Sequence, residues 1–342
     1  MKVGASHART DPGRKRRGNE DSYVCQPPLF AIADGMGGAR AGEVASALAA
    51  GALKESRLDG GGEARVIALI QEANRRVHQR ASTDAATSGM GTTITVALVE
   101  PDGTVTFGHV GDSRAYLLRD GRLEQLTDDH SLVAELVRRG ELSPREAEMH
   151  PQRSVITRAL GTDPDVDVDA FPVRAKPGDL YLICSDGLSD MVDGEVLEQI
   201  LIRHRDDLPV VTKALIGAAN RGGGDDNITA VVFEIVDGEP GPSEPDERTR
   251  EYAGEPDEDD TLHPEDGVQP PPAPPPADPG DTLVVPAEEI RAAVAGSRAA
   301  APPAERLPAQ PEAGLGRRLL ALTVIAALVA VIVVLVWWGL AR

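Results

Sequence analysis

Leu29-Phe30-Ala31-Ile32-Ala33 is a continuous apolar run that ends on Asp34-Gly35-Met36-Gly37-Gly38. An unbroken run of this length predicts a buried strand, and an aspartate followed by glycines predicts a sharp exit at the end of the sheet. Such an exit exposes a carboxylate and a bare carbonyl, the oxygen donors that a hard cation takes. Asp-Gly alone is ordinary turn chemistry, so the reading depends on whether other acidic turns share the form.

Four others do. Glu20-Asp21 precede Ser22-Tyr23-Val24-Cys25, Asp112 lies in Gly111-Asp112-Ser113-Arg114, Asp186-Gly187 follow Leu180 to Ser185, and Asp226-Asn227 open Ile228 to Val236. Each stands where an apolar run ends or a strand begins, so they can converge on one edge of a sandwich. Oxygen-only ligands select Mg²⁺ or Mn²⁺ over Zn²⁺. The histidines are scattered and form no metal-spaced pair.

Around these turns, Glu43 to Ser56 and Ala64 to Arg80 carry apolar residues at helical spacing. From Thr92 the period becomes two, with Ile94, Val96, Leu98, Val105, Phe107, Ala115 and Leu117 predicting successive antiparallel strands. Pro101-Asp102-Gly103 and Asp120-Gly121 supply the turns. Residues 127 to about 160 break the pattern with helices near Ser131 to Arg139 and after Ser143-Pro144, and are expected to form a substrate-facing flap. Strands over Val166 to Val173, Leu180 to Ser185 and Ile228 to Val236 follow, with helices near Glu195 to Arg203 and Leu208 to Asn220 between them. The order is that of an α+β domain covering residues 1–236.

Composition sets the remaining boundaries. Residues 237 to 281 hold 15 acidic and 2 basic residues, a large share of the net charge of −20, and residues 237 to 311 hold 17 of the 27 prolines. Such a stretch cannot bury enough apolar surface to order itself, so residues 237–316 are expected to be a disordered, partly extended linker. Asp-Thr-Leu occurs in it twice, at Thr261 and Thr282, the expected result of biased composition, with kinase modification as the other reading. Leu319 to Leu340 is 22 residues without a charge, preceded by Arg317-Arg318 and ending near Trp337-Trp338. A helix of that length spans a hydrocarbon core of about 30 Å, so residues 317–342 are expected to be a single-pass anchor with the basic pair on the cytoplasmic side. The charged N-terminus is not a secretory signal. Cys25 and Cys184 are too few for a disulfide framework and point to a reducing compartment. No basic stripe is present to bind nucleic acid.

Taken with Thr10-Asp11, Asn19-Glu20-Asp21, Gly42-Glu43, Met90-Gly91-Thr92-Thr93, Val110-Gly111-Asp112-Ser113-Arg114, His150-Pro151-Gln152-Arg153, Ser185-Asp186-Gly187-Leu188 with Asp190, and Gly222-Gly223 to Thr229, the sequence from about 3 to 236 resembles the bacterial PPM-type metal-dependent serine/threonine protein phosphatases. The resemblance implies two stacked antiparallel β-sheets flanked by helices on both sides, a four-layer αββα sandwich. It implies two bridged Mn²⁺ or Mg²⁺ ions. Asp34 would bridge both, Asp186 and Asp226 would complete one, and Glu20 with the Gly35 carbonyl would complete the other. Asp112 matches the position of a weaker third ion. Asp21 and Asn227 would stand outside the ligands, and Arg16 would grip the substrate phosphate. With Asp34, Arg16 forms the expected catalytic pair; one more cation in the basic run of Arg14, Lys15 and Arg17 is the other reading of its place.

Two departures follow from the same resemblance. Met36 stands where eukaryotic relatives have a histidine, and Ala39 where many bacterial ones do. The leaving-group proton is therefore expected from water on the ions, with His109, a residue expected to point into the sheet, as the other donor. The expected protein is a membrane-tethered, cytoplasmic and monomeric phosphatase that acts on phosphorylated proteins and opposes membrane serine/threonine kinases. The rival readings are an inactive binding module and a hydrolase of small phosphoesters.

Overall fold

The computed structural model describes residues 1–36, 41–56, 60–238 and 283–284. In chain order the elements are β1 (Lys2–Asp11), β2 (Asp21–Gln26), β3 (Leu29–Met36), α1 (Ala41–Glu55), α2 (Gly62–Thr83), β4 (Gly91–Thr92), β5 (Ile94–Val99), β6 (Thr104–Val110), β7 (Arg114–Arg119), β8 (Arg122–Gln125), α3 (Leu132–Arg138), α4 (Pro144–Glu148), β9 (Val155–Ile156), β10 (Asp169–Arg174), β11 (Leu180–Cys184), α5 (Asp186–Ser189), α6 (Gly194–His204), α7 (Leu208–Gly222), β12 (Ile228–Val236) and β13 (Leu283–Val284).

Two antiparallel sheets form the centre. One runs β1-β12-β11-β7-β8; the other runs β10-β6-β5-β3-β2, with β4 paired to the end of β3. Between them lies an apolar layer of Phe30, Ile32, Phe107, Leu117, Tyr181, Ile183, Val231 and Phe233. Phe30 and Phe233 stack there with centroids 4.1 Å apart. Each such ring, fully buried, contributes on the order of 1.5–3 kcal/mol, so a chain poor in aromatics has spent them where the sheets meet. Outside the second sheet, α1 and α2 pack Ala45, Ala49, Leu53, Val66, Leu69, Ile70 and Val77 onto Val24, Ala31 and Ala33. Outside the first, α6 and α7 pack Leu197, Leu201, Val211 and Leu215 onto Leu182, Ala230 and Val232. The four-layer order is the one expected.

The local signals act as read at the flap, where Ser143 and Glu146 form a reciprocal capping box with Pro144 in the first turn. Several expectations are corrected. The strand does not stop on Asp34 but continues through Gly35 and Met36, which pair with Thr92 and Gly91. Asp186-Gly187 do not merely end a strand; they begin the short helix α5. The strand expected from Val166 begins at Asp169; β8 follows the Asp120-Gly121 turn and pairs with β7, while β1 and β9 carry too little apolar periodicity to be foreseen. Gly37, Gly38, Ala39, nearly all of the linker with Thr261 and Thr282, and the segment 319–340 lie outside the described residues. Among the described residues no helix is long and apolar enough to cross a membrane.

Candidate metal centre

The acidic turns meet because the two sheets present their strand ends together. In the β2–β3 register, Asp21 is the partner of Asp34. The turn between β6 and β7 carries the chain from one sheet to the other and places Asp112 at that corner, while Asp186 follows β11 and Asp226 precedes β12. The carboxyl of Asp34 lies in the fields of Asp21, Asp186, Asp226 and Asp112, which add to burial in pushing its pKa well above the ordinary carboxylate range. Burial, then Asp112, Asp226, Asp190 and Asp21, do the same to Asp186. Asp112 is pushed up to about 7 by burial and by Asp129 and Asp190, partly offset by Arg114.

Each group is held by its own scaffold. The Asp34 amide donates to Thr93 Oγ1 at 3.1 Å, and its carbonyl accepts from the Thr93 amide and Thr92 Oγ1, both at 2.8 Å. Asp21 Oδ2 accepts from Ser185 Oγ at 2.9 Å and Thr229 Oγ1 at 2.5 Å, which ties one sheet to the other. Burial raises the Asp21 pKa to about 6 against the opposing pull of those hydroxyls. The Asn227 amide donates to Asp226 Oδ1 at 2.8 Å. Arg16 Nη2 donates to Asp226 Oδ2 at 2.8 Å, so the arginine expected at the phosphate reaches the rim of the acidic cluster.

Glu20 and Gly35 form the other wall. The Gly35 amide donates to the Glu20 carbonyl at 3.2 Å. A Cβ on Gly35 would run into the Gly42 carbonyl, and one on Gly42 into Glu20 Oε2. Only glycine at both positions lets α1 begin against the end of β3. The Glu20 carboxylate thereby lies at the N-terminal turn of α1, where the helix dipole favours a negative charge.

Among the described residues no three His, Cys, Asp or Glu side chains already close into a cage. Like-charged carboxylates confined together stand apart until a cation neutralises them. Oδ1 of Asp21, of Asp112 and of Asp186 are buried without a hydrogen-bond partner, an arrangement that costs free energy unless something supplies charge there. The all-oxygen donor set fits a hard divalent ion.

Two groups of residues were not foreseen. The hydroxyls of Thr93, Ser113, Ser185 and Thr229 link the acidic turns, with Thr93 Oγ1 and Ser113 Oγ 2.9 Å apart. The quoted motifs contained them, but nothing in a linear pattern shows that they meet. The second is His130, whose Nδ1 accepts from the Gly111 amide at 3.1 Å while its own amide donates to the Gly111 carbonyl at 2.8 Å. His130 Nε2 faces Asp169 Oδ2 at 3.0 Å, and Arg158 holds that carboxylate from the far side at 2.6 Å. Gly111 has φ +116, a conformation that favours glycine, so His130 fixes the backbone step before Asp112. His109 is a core residue, hydrogen-bonded to Thr95 Oγ1 at 2.9 Å and pushed down to about 3 by burial and by His130. It lies inside the sheet, as the sequence led one to expect.

Comparison with known proteins shows the family. Residues 15–139 match the Protein phosphatase 2C family. The serine/threonine phosphatase stp of Listeria monocytogenes is 41% identical over 238 residues, covering 66% of this chain and 94% of that protein. The chain belongs to the protein phosphatase 2C family. Serine/threonine protein phosphatase PstP of Mycobacterium tuberculosis is 43% identical over 244 residues, 70% of this chain, and the matched part spans 46% of PstP. A crystal structure of the Mycobacterium tuberculosis phosphatase PstP/Ppp superposes with a TM-score of 0.63 at 41% identity, covering 69% of this chain and all of that one. A second PstP catalytic domain, solved in complex with two manganese ions, gives 0.63 at 39% identity over the same shares.

Proposed function

We propose that residues 1–236 are a metal-dependent protein phosphatase that hydrolyses phosphoserine and phosphothreonine. The observation that carries this reading is the set of five acidic turns at the junction of two sheets, with Oδ1 of Asp21, Asp112 and Asp186 buried and unpartnered. It is supported by the resemblance to relatives named as serine/threonine phosphatases, one of them crystallised with manganese.

Asp34, Asp186 and Asp226 would hold one divalent ion, Mn²⁺ or Mg²⁺, and Asp34, Glu20 and the Gly35 carbonyl a second, with Asp112 toward a third. Such ions, when bound, supply Lewis acidity for in-line attack of water on phosphorus. The protein's part is placement. Asp21 is held too firmly by Ser185 and Thr229 to move inward freely and acts as an outer support. Asn227 anchors the loop that carries Arg16. Arg16, already paired to Asp226, can exchange part of that contact for phosphoryl oxygens, and its planar fork suits a bidentate grip.

The sequence of 319–340 with Arg317-Arg318 supports a membrane tether that keeps the enzyme on the cytoplasmic face, near membrane serine/threonine kinases and their substrates. The purified protein tests the reaction: it is expected to release phosphate from a phosphothreonine peptide with Mn²⁺ and to stop when a chelator is added. Absence of Mn²⁺-dependent hydrolysis would overturn the reading.

A further inference from the structure

Leu283-Val284-Val285 is the only run of three consecutive Leu, Val or Ile residues between 237 and 318. It follows Asp281-Thr282 and stops at Pro286, which lacks the N–H to continue a ladder. The first Asp-Thr-Leu, ending at Leu262, continues instead into His263-Pro264, so only the second copy reads as a strand. In the structure Leu283 and Val284 form β13, which pairs in parallel with β9, Leu283 opposite Val155 and Val284 opposite Ile156.

The place of β9 gives the pairing meaning. β9 lies at the end of the flap, and its Ile156 also bridges Ser131 at the flap's beginning. Ile156 is buried and packs with Ala159 and Met36. Met36 ends the strand that carries Asp34 and Gly35. A chain laid along β9 is therefore one side-chain layer from the candidate metal centre.

We propose that β9 is a docking edge for extended peptide and that this chain's own Leu283–Val284 segment occupies it in cis, in competition with the backbone flanking a phosphorylated residue. Strand addition is read mainly through backbone groups, so an edge that accepts one extended segment accepts others of similar shape. Two residues of pairing are weak for a free peptide. Attachment through residues 239 to 282 makes the contact intramolecular, with an effective concentration on the order of millimolar. The competition rests on the phosphatase reading; the docking does not.

The test uses the full chain and two variants, Val284→Pro, which deletes a backbone donor, and Leu283→Asp, which removes the apolar side chain. Amide hydrogen exchange at Ile156 is expected to quicken about tenfold in both; the Val155 amide, which donates to the Gln152 carbonyl at 3.2 Å, is the internal reference. The KM for a phosphothreonine peptide is expected to fall by roughly three- to tenfold, with kcat unchanged and turnover of a small aryl phosphate unaltered. Unchanged exchange in both variants would overturn the docking, and faster exchange with an unchanged peptide KM would overturn the competition. If the wild-type chain hydrolyses neither substrate, the phosphatase reading and the competition fail together while the exchange result still decides the docking.

Discussion

The Glu20 amide donates to the Asn227 side-chain oxygen at 2.8 Å across 207 positions of sequence. The same amide group of Asn227 donates to the carbonyls of Pro12 at 3.1 Å and Gly18 at 2.8 Å. One buried side chain thus fixes both ends of the loop that carries Arg16. Asn227→Ala is expected to destabilise the fold by about 2–3 kcal/mol, since it leaves a donor and two acceptors unmet. It should also weaken Mn²⁺ binding by about 10–100-fold, the usual cost of losing a residue that orients ligands. Chemical denaturation and a Mn²⁺ titration check the two effects; asparagine replaced without loss in both would contradict the role.

Gly35 and Gly42 predict a steric result. Gly35→Ala drives a Cβ into the Gly42 carbonyl, backbone against backbone, and is expected to cost about 3 kcal/mol. Gly18→Ala meets nothing within 4 Å and is expected to stay within about 0.5 kcal/mol. Thermal unfolding of the pair of variants separates a demand of packing from a general dislike of alanine in loops.

His109 predicts a pH dependence. Burial, with His130 beside it, takes its pKa from the ordinary histidine value of 6.5 down to about 3 on folding. The unfolded chain therefore binds the extra proton in that interval while the folded one does not, and stability contributed by neutral His109 is lost as pH falls from about 6.5 toward 3. Burial shifts Asp21, Asp34 and Asp112 upward, so their effect on stability has the opposite sign and is lost as pH rises from about 4. The comparison of wild type with His109→Gln isolates the histidine: the slope of unfolding free energy against pH between 4 and 6 should change by about one proton. Equal slopes would contradict the assignment.

His130 predicts a graded series. Asn at 130 can still present an oxygen to the Gly111 amide, whereas Ala cannot. His130→Ala is expected to cost about 2–3 kcal/mol and His130→Asn roughly half of that. Denaturation midpoints check the order, and equal losses would show that the contact with Gly111 is not what matters.

Much of the architecture is legible in the sequence because each helix and central strand carries its own signal. The alternation of Ile94, Val96 and Leu98 and the 3.6-residue spacing of Val66, Leu69, Ile70, Ala73 and Val77 appear directly as β5 and α2. β1 was not legible since an edge strand, half exposed, needs little apolar residue, and β9 is only two residues long. The acidic residues of the candidate centre were legible one by one from their place at strand ends. Their supports were not. Asp21 and Thr229 belong to strands of two different sheets and Ser185 to the turn between β11 and α5, and His130 acts on Gly111 through the backbone, so no local pattern records either contact.

The most direct test of the centre is anomalous diffraction at the manganese edge from crystals of the protein grown with Mn²⁺. Two peaks about 4 Å apart, both touching Asp34, with Glu20 and the Gly35 carbonyl at one and Asp186 and Asp226 at the other, are the predicted result. Peaks that avoid Asp34, or none at the junction of the sheets, would contradict the account.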